Sequence, residues 1–208
     1  MPTDKQNDLA FEVRDSPISG QGAFAIRPIK KGERLIEYVG ERIAHPVANE
    51  RYDDDSMEEH HTFLFSVSSR TVIDATHTGN ESRYINHSCD LNCESEVERG
   101  RVYIFSLRDI KVGEELHYDY AYERSGDETE KEEAQYRCLC GAKHCRGSIM
   151  EAKEDFLKRQ KTMVKNAAAR TRAKKAAALA LARAKKAAAL ARAKRAAVKQ
   201  KSARSSTV

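Results

Sequence analysis

The sequence predicts a mostly β fold, built of several short sheets with few short helices, and a basic appendage that is helical or disordered. Three observations predict it. Between Phe11 and Tyr120 short apolar runs recur, broken by turns rich in Gly, Pro, Asp and Ser, as in a β domain with a small core. That region carries little helical periodicity. Beyond Lys158 the composition collapses to Ala, Lys, Arg and a few Leu, a low-complexity segment that builds no core of its own.

Residues 11–14 alternate as a short strand, Asp15-Ser16-Pro17-Ile18-Ser19-Gly20-Gln21-Gly22 is rich in turn formers, and residues 23–26 resume the apolar run. A hairpin-like opening follows. Pro28-Ile29-Lys30-Lys31-Gly32-Glu33 reads as a turn into a longer strand over 34–43, where Gly40 marks a bulge or a close backbone approach. Residues 47–61 are polar and helix-compatible but poorly periodic. Short strands are expected over 62–67 and 71–74, a brief helix over 81–85, and the clearest strand over 101–107. A turn at 109–114 leads into residues 115–120, and the charged, apolar-poor stretch 123–133 suits a mobile connector.

The formal charge of +5 on 208 residues hides an asymmetry. Every Asp and Glu lies before Lys158, so the front of the chain is acidic and the back purely basic. An acidic face steers basic partners, whereas a polycation favours phosphate polymers. No stretch approaches the length of a membrane span, and Met1-Pro2-Thr3-Asp4-Lys5-Gln6 lacks the apolar run of a secretory signal. A soluble, intracellular protein without membrane contact is expected. In a reducing compartment its five cysteines, at 89, 93, 138, 140 and 145, suggest metal thiolates more than disulfides.

The densest chemistry lies in Arg83-Tyr84-Ile85-Asn86-His87-Ser88-Cys89, followed by Asp90-Leu91-Asn92-Cys93. Polar groups crowded around an apolar residue each need a partner if the segment is interior. His87 can hold a ligand or a structural hydrogen bond, Asn86 donates and accepts at once, and Cys89 is a soft metal ligand. Cys138, Cys140 and Cys145 cannot complete a tetrahedral structural site alone, so a fourth ligand comes from elsewhere, with the neighbouring His144 one candidate. Glu58-Glu59-His60-His61 makes a poor second metal site, because adjacent residues on a helix face different ways.

Four motifs in order carry a resemblance: Gly20-Gln21-Gly22-Ala23-Phe24, Tyr38-Val39-Gly40-Glu41, Arg83 to Cys89, and Gly113-Glu114-Glu115-Leu116-His117-Tyr118-Asp119-Tyr120. With Cys138, Cys140, Cys145 and Gly147 behind them, residues 9–147 resemble the SET-domain protein lysine methyltransferases and their post-SET zinc segment. The resemblance implies a β-clip fold and methyl transfer from S-adenosylmethionine to lysine, a displacement that is mainly a positioning task and needs no catalytic metal. It places Gly20, Gly22, Ala23 and Phe24 beside the cofactor, where glycine permits close approach of backbone. It assigns Arg83, Asn86 and His87 to the same ligand and Leu139 to its cover. Tyr120 matches the catalytic tyrosine, Tyr118 the position that governs how many methyls fit, and Tyr38 a wall of the lysine channel, which Tyr122 extends. Cys89 matches the fourth ligand of a structural Zn2+ held by Cys138, Cys140 and Cys145, leaving Cys93 free.

An aromatic channel cradles a cation over ring faces and, by excluding water, lowers a lysine pKa from its free value of about 10.4. Two positions depart from the family pattern: Leu91 stands where proline is usual, and His117, expected to face solvent, where threonine is common.

The tail resembles linker-histone tails and bacterial histone-like proteins, which implies DNA binding through phosphates by residues 158–208, with steep salt dependence and little sequence preference. The expected organisation is an N-terminal extension over 1–8, a SET domain over 9–122, an acidic linker over 123–137, a post-SET zinc segment over 138–147 and a basic tail over 148–208. The expected activity is methylation of histones or histone-like chromatin or nucleoid proteins, in a nucleus, a bacterial nucleoid or, if secreted, a host nucleus. Alternatives are a ribosomal protein target, or a DNA-compacting protein that uses the fold as a binding module.

A tyrosine hydroxyl at 118 narrows the space for a methylated amine, so monomethyl-lysine is the expected main product. Tyr118→Phe should shift the products, read by mass spectrometry, toward dimethyl- and trimethyl-lysine; an unchanged distribution overturns the steric argument.

Overall fold

Turn formers at 15–20 fold the start of the chain back on itself. Strand β1 (Phe11–Asp15) pairs antiparallel with β2 (Gln21–Ala25), and Gly20 at the corner takes a φ of +50°, which glycine adopts without steric cost. The computed structural model describes the backbone of residues 9–52 and 62–205, and side chains as far as 180. The chain divides into two units, Met1–Lys153 and Glu154–Val208.

Residues 34–43 do not form one strand. They split into β3 (Arg34–Tyr38) and β4 (Glu41–Ile43), which enter different sheets. Downstream come β5 (Leu64–Ser68), β6 (Thr71–Asp74), β7 (Asn86–His87), β8 (Cys93–Glu98), β9 (Arg101–Ser106) and β10 (His117–Tyr118). One antiparallel sheet has the order β3-β9-β8 and another the order β4-β6-β5. Gly40 is the hand-over between them. A Cβ there would stand 2.4 Å from the Asp74 carbonyl oxygen, so the backbones pass too close for any side chain. Strand β8 is missing from the sequence reading because Cys93-Glu94-Ser95-Glu96-Val97-Glu98 is mostly polar, as an edge strand with a solvated face can be.

A short helix α1 (His45–Arg51), with Pro46 in its first turn, overlaps the expected one; residues 53–61, including Glu58-Glu59-His60-His61, lie outside the described residues. The 3-10 turn Glu81–Tyr84 delivers β7, which pairs in parallel with β10: Asn86 lies opposite His117 and His87 opposite Tyr118. The stretch expected as a connector instead contains a helix, α2 (Glu130–Gln135). Thr129 and Glu132 form a reciprocal capping box at its start, and the buried Arg124 grips Glu133 at 2.7 Å. That Thr-x-x-Glu spacing is legible in the sequence.

Three apolar clusters hold the first unit. The largest packs Phe11, Ala23, Ile29, Ile85, Ile104, Ile110 and Leu116; Tyr38, Ile73 and Val102 form a second, and Ile43, Ala48 and Val72 a third. Each large buried aliphatic side chain contributes about 1.5–3 kcal/mol. The second unit is helical throughout its described length, within α3 (Lys153–Ser205), in keeping with the high helix propensity of alanine. Among the described residues no helix is long and apolar enough to cross a membrane.

Gly40→Ala should cost about 1–3 kcal/mol, the penalty for forcing a methyl into packed structure. The shift in denaturant midpoint measures it, and an unchanged midpoint overturns the close-approach account.

Candidate active site and metal centre

Pairing of β7 with β10 brings residues 86–87 and 117–120 together, although more than twenty residues separate them in sequence. They meet at a cavity of about 1580 Å³. The Gly20–Gln21 turn forms one wall, Tyr38, Phe63 and Phe65 another, and Tyr118, Tyr120 and Tyr122 a third, with Leu139 also at the rim.

Its aromatic wall is continuous. Ring centroids are 5.3 Å apart for Tyr38 and Phe65, 6.4 Å for Phe65 and Tyr118, 5.0 Å for Tyr118 and Tyr120, 6.1 Å for Tyr120 and Tyr122, and 5.4 Å for Tyr122 and Tyr136. Tyr120 Oη donates to the Ile85 carbonyl at 3.1 Å, which fixes the ring. Burial, reinforced by the neighbouring tyrosines, raises the pKa of Tyr38, Tyr118 and Tyr120, so all three stay neutral phenols at physiological pH. A wall of neutral ring faces attracts a cation without an ion pair. Phe63 and Phe65, which line the cavity, are missing from the sequence reading of the site, as is Tyr136, whose ring meets Tyr122 without lining the cavity. The alternation Phe63-Leu64-Phe65 is the signal for Phe65, since it sets both phenylalanines on one face of the strand.

His87 is buried and joins two parts of the site. Its Nδ1 accepts the Tyr120 main-chain N–H at 3.2 Å, so the ring carries its proton on Nε2, 3.5 Å from Cys89 Sγ. Burial pulls its pKa down to about 4, so its 3.4 Å approach to Asp119 is no ion pair at neutral pH. The Asn86 side-chain nitrogen faces the protein, donating to Gln21 O and Glu115 Oε1, each at 2.9 Å. Arg83 lines the cavity and is held by the carbonyls of Ala75 and Thr76 and the Tyr84 hydroxyl, while its Nε is a buried donor with no hydrogen-bond partner among the described residues.

Not every expected site residue reaches the cavity. Gly22 backs onto Glu115, Ala23 is fully buried in the core, and Phe24 lies under the Arg14 guanidinium; none of them lines the wall that Gly20 and Gln21 provide. His117 departs from its expected solvent exposure. Packed against the Asn92–Cys93 segment and 3.6 Å from Glu115, it is 17% exposed, and burial lowers its pKa.

The sulfurs of Cys89, Cys138, Cys140 and Cys145 all lie within 4.8 Å of one another. Cys89 is 3.8 Å from Cys138 and 3.9 Å from Cys145, and four sulfurs about 2.3 Å from one tetrahedral ion stand about 3.8 Å apart. Main-chain N–H groups of Cys140, Arg146 and Gly147 point at three of the sulfurs, at 3.5, 3.4 and 3.4 Å, as suits thiolates. The donor set fits a structural tetrahedral metal. His144 is exposed outside the group, and Cys93 is buried in the core with its thiol pushed up to about 12 by burial. From the same segment, Arg146 makes a two-pronged pair with Asp119, at 2.7 and 2.5 Å, between Tyr118 and Tyr120.

A β-rich unit whose turn, buried Asn-His pair and tyrosine wall share one cavity, with a cluster of four cysteines beside it, has the features of one fold family. Residues 20–121 match the SET domain, and that part of the chain is a SET domain. It is 44% identical over 141 residues to the histone-lysine N-methyltransferase, H3 lysine-4 specific, of Saccharomyces cerevisiae, covering 64% of this chain and 12% of that protein. The protein of the same description in Eremothecium gossypii is 43% identical over 141 residues, 64% of this chain and 14% of its own length. Histone-lysine N-methyltransferase SETD1B of Homo sapiens is 38% identical over 157 residues, 70% of this chain and 8% of its own length. The chain thus corresponds to a small part of each of these relatives.

The purified chain should carry one zinc. Cys145→Ser should weaken metal retention by at least roughly tenfold and lower the unfolding temperature, as should a chelator. Full zinc occupancy in the variant, read by atomic absorption, would exclude Cys145 as a ligand.

Proposed function

We propose that the chain is an S-adenosylmethionine-dependent protein-lysine N-methyltransferase acting on lysines in basic tails of histones or histone-like proteins. The observation that carries this reading is the tyrosine wall of Tyr38, Tyr118, Tyr120 and Tyr122 opening into the same cavity as the Gly20–Gln21 turn and Arg83. S-adenosylmethionine supplies an electrophilic methyl on a sulfonium. The residues around the cavity fit such a ligand: Gly20 brings backbone to its edge, Leu139 offers a half-exposed apolar surface, and Arg83 Nε lacks a partner among the described residues.

The aromatic wall holds the lysine side chain in line, excludes water and favours the neutral amine that attacks. Tyr120, neutral and anchored on Ile85, orients the reacting groups rather than removing a proton. Zn2+ on the four cysteines would hold Leu139 at the rim and, through His87 and the Arg146–Asp119 pair, brace the segment just past β10 that carries Tyr120. Tyr118 favours a single methyl. The relatives are named for histone lysine, which supports a histone tail as substrate and chromatin as the place of action. The acid-free tail from 158 onward tethers the enzyme to DNA.

Labelled methyl from S-adenosylmethionine should pass to core histones with the intact chain and fall about a hundredfold with Tyr120→Phe, the order expected when reacting groups are misplaced. Absence of label on both core histones and a DNA-bound basic protein, with zinc-loaded protein, overturns the reading. Removing residues 158–208 should weaken duplex binding and flatten its salt dependence; unchanged binding removes the tether.

A further inference from the structure

Behind the Gly20–Gln21 wall lies a buried carboxylate that does not line the cavity, although its charge helps raise the Tyr120 pKa. Glu115 has a side chain only 8% exposed. Its Oε1 accepts from Ser16 Oγ at 2.7 Å and from Asn86 Nδ2 at 2.9 Å. The same Asn86 nitrogen donates to Gln21 O at 2.9 Å, and Ser16 Oγ accepts from Ile18 N–H at 3.1 Å while Ser16 N–H donates to Gly20 O at 2.9 Å. One carboxylate oxygen therefore sets the two side chains that hold the 16–21 turn from either end. His117 faces its other oxygen at 3.6 Å, and Asn92 Nδ2 holds the Glu115 carbonyl at 2.8 Å.

Gly22 belongs to the same arrangement. A Cβ on it would stand 2.2 Å from Glu115 Oε1 and 2.9 Å from Ser16 Cβ. Glycine at 22 thus makes room for the carboxylate, and Gly22 is not among the residues that line the cavity.

We propose that Glu115 is a positioning residue for the methyl donor: it acts through Ser16 and Asn86 to hold the Gly20–Gln21 turn in the one conformation that forms the donor wall. This rests on the methyltransferase reading. A carboxylate suits the task because it accepts from two donors at once without offering one of its own. Burial strengthens both bonds, and removing the acceptor strips the Ser16 hydroxyl of its partner and leaves the Asn86 amide only Gln21 O and Ser16 Oγ.

The test combines calorimetric binding of S-adenosylmethionine to the zinc-loaded full chain with steady-state kinetics and zinc content. Glu115→Ala should raise the donor Kd and KM about tenfold, the effect of an unpaired buried donor, with a smaller change in kcat at saturating donor. Glu115→Gln, which keeps one accepting oxygen, should recover most of that loss. Gly22→Ala should weaken donor binding comparably in the wild-type background and much less when added to Glu115→Ala, because the displaced carboxylate is already gone. If Glu115→Ala fails to fold, Glu115→Gln and Gly22→Ala carry the test through the same Kd. Donor binding as tight as wild type in Glu115→Ala, or additive effects in the double variant, overturns the proposal. A wild-type chain that binds the donor yet methylates nothing would defeat the methyltransferase reading while leaving the Kd comparison able to decide this one.

Discussion

Everything in the cavity depends on a parallel pairing two residues long. Strands β7 and β10 set Asn86 against His117 and His87 against Tyr118, and from that register Tyr120 falls 5.5 Å from the His87 ring. So short a ladder contributes few hydrogen bonds, while joining residues this far apart carries the entropy of loop closure. The surrounding structure supplies the difference. Asn92, 2% exposed, donates to Glu115 O and accepts from His117 N–H, each at 2.8 Å, stitching a third segment to β10, and Ile85 and Leu116 flank the ladder in the main core. Polar satisfaction and apolar burial act on the same few residues.

The cysteine cluster touches this ladder at two points. The His87 ring bridges from Cys89 to the Tyr120 main chain, and Arg146 reaches from the cluster to Asp119. The Arg146 and Asp119 side chains are 23% and 31% exposed, so solvent screens the pair in part. Its planar, two-pronged geometry has more effect on orientation: it fixes the residue between the two tyrosines.

Much of this was legible in the residues. Ordered motifs, each weak alone, pointed to one family, and Arg101-Val102-Tyr103-Ile104-Phe105-Ser106 declared β9 by its composition. Strand β8 stayed hidden because an edge strand has too few buried positions to print a pattern, and the break at Gly40 because a close approach depends on Asp74, far away in sequence. His117 illustrates a different limit. Nothing in Leu116-His117-Tyr118 says that Asn92 and Glu115 will enclose the ring; that depends on which segments pack beside β10. The glycines at 20 and 22 look alike in sequence yet serve opposite sides of one turn, the first at the cavity and the second at a buried carboxylate.

The spacing of the cysteines sets an order of events during synthesis. Cys89 precedes Cys145 by 56 residues, so a ribosome must release the whole second half of the first unit before the last thiol can meet the first. By then the strands and their apolar clusters, all contributed by residues up to Tyr118, are already available to collapse. The chain therefore acquires its core early and its working cavity late. A nascent chain holding the ladder but not the cysteine segment has one of the four clustered sulfurs and lacks Leu139 at the rim of the cavity.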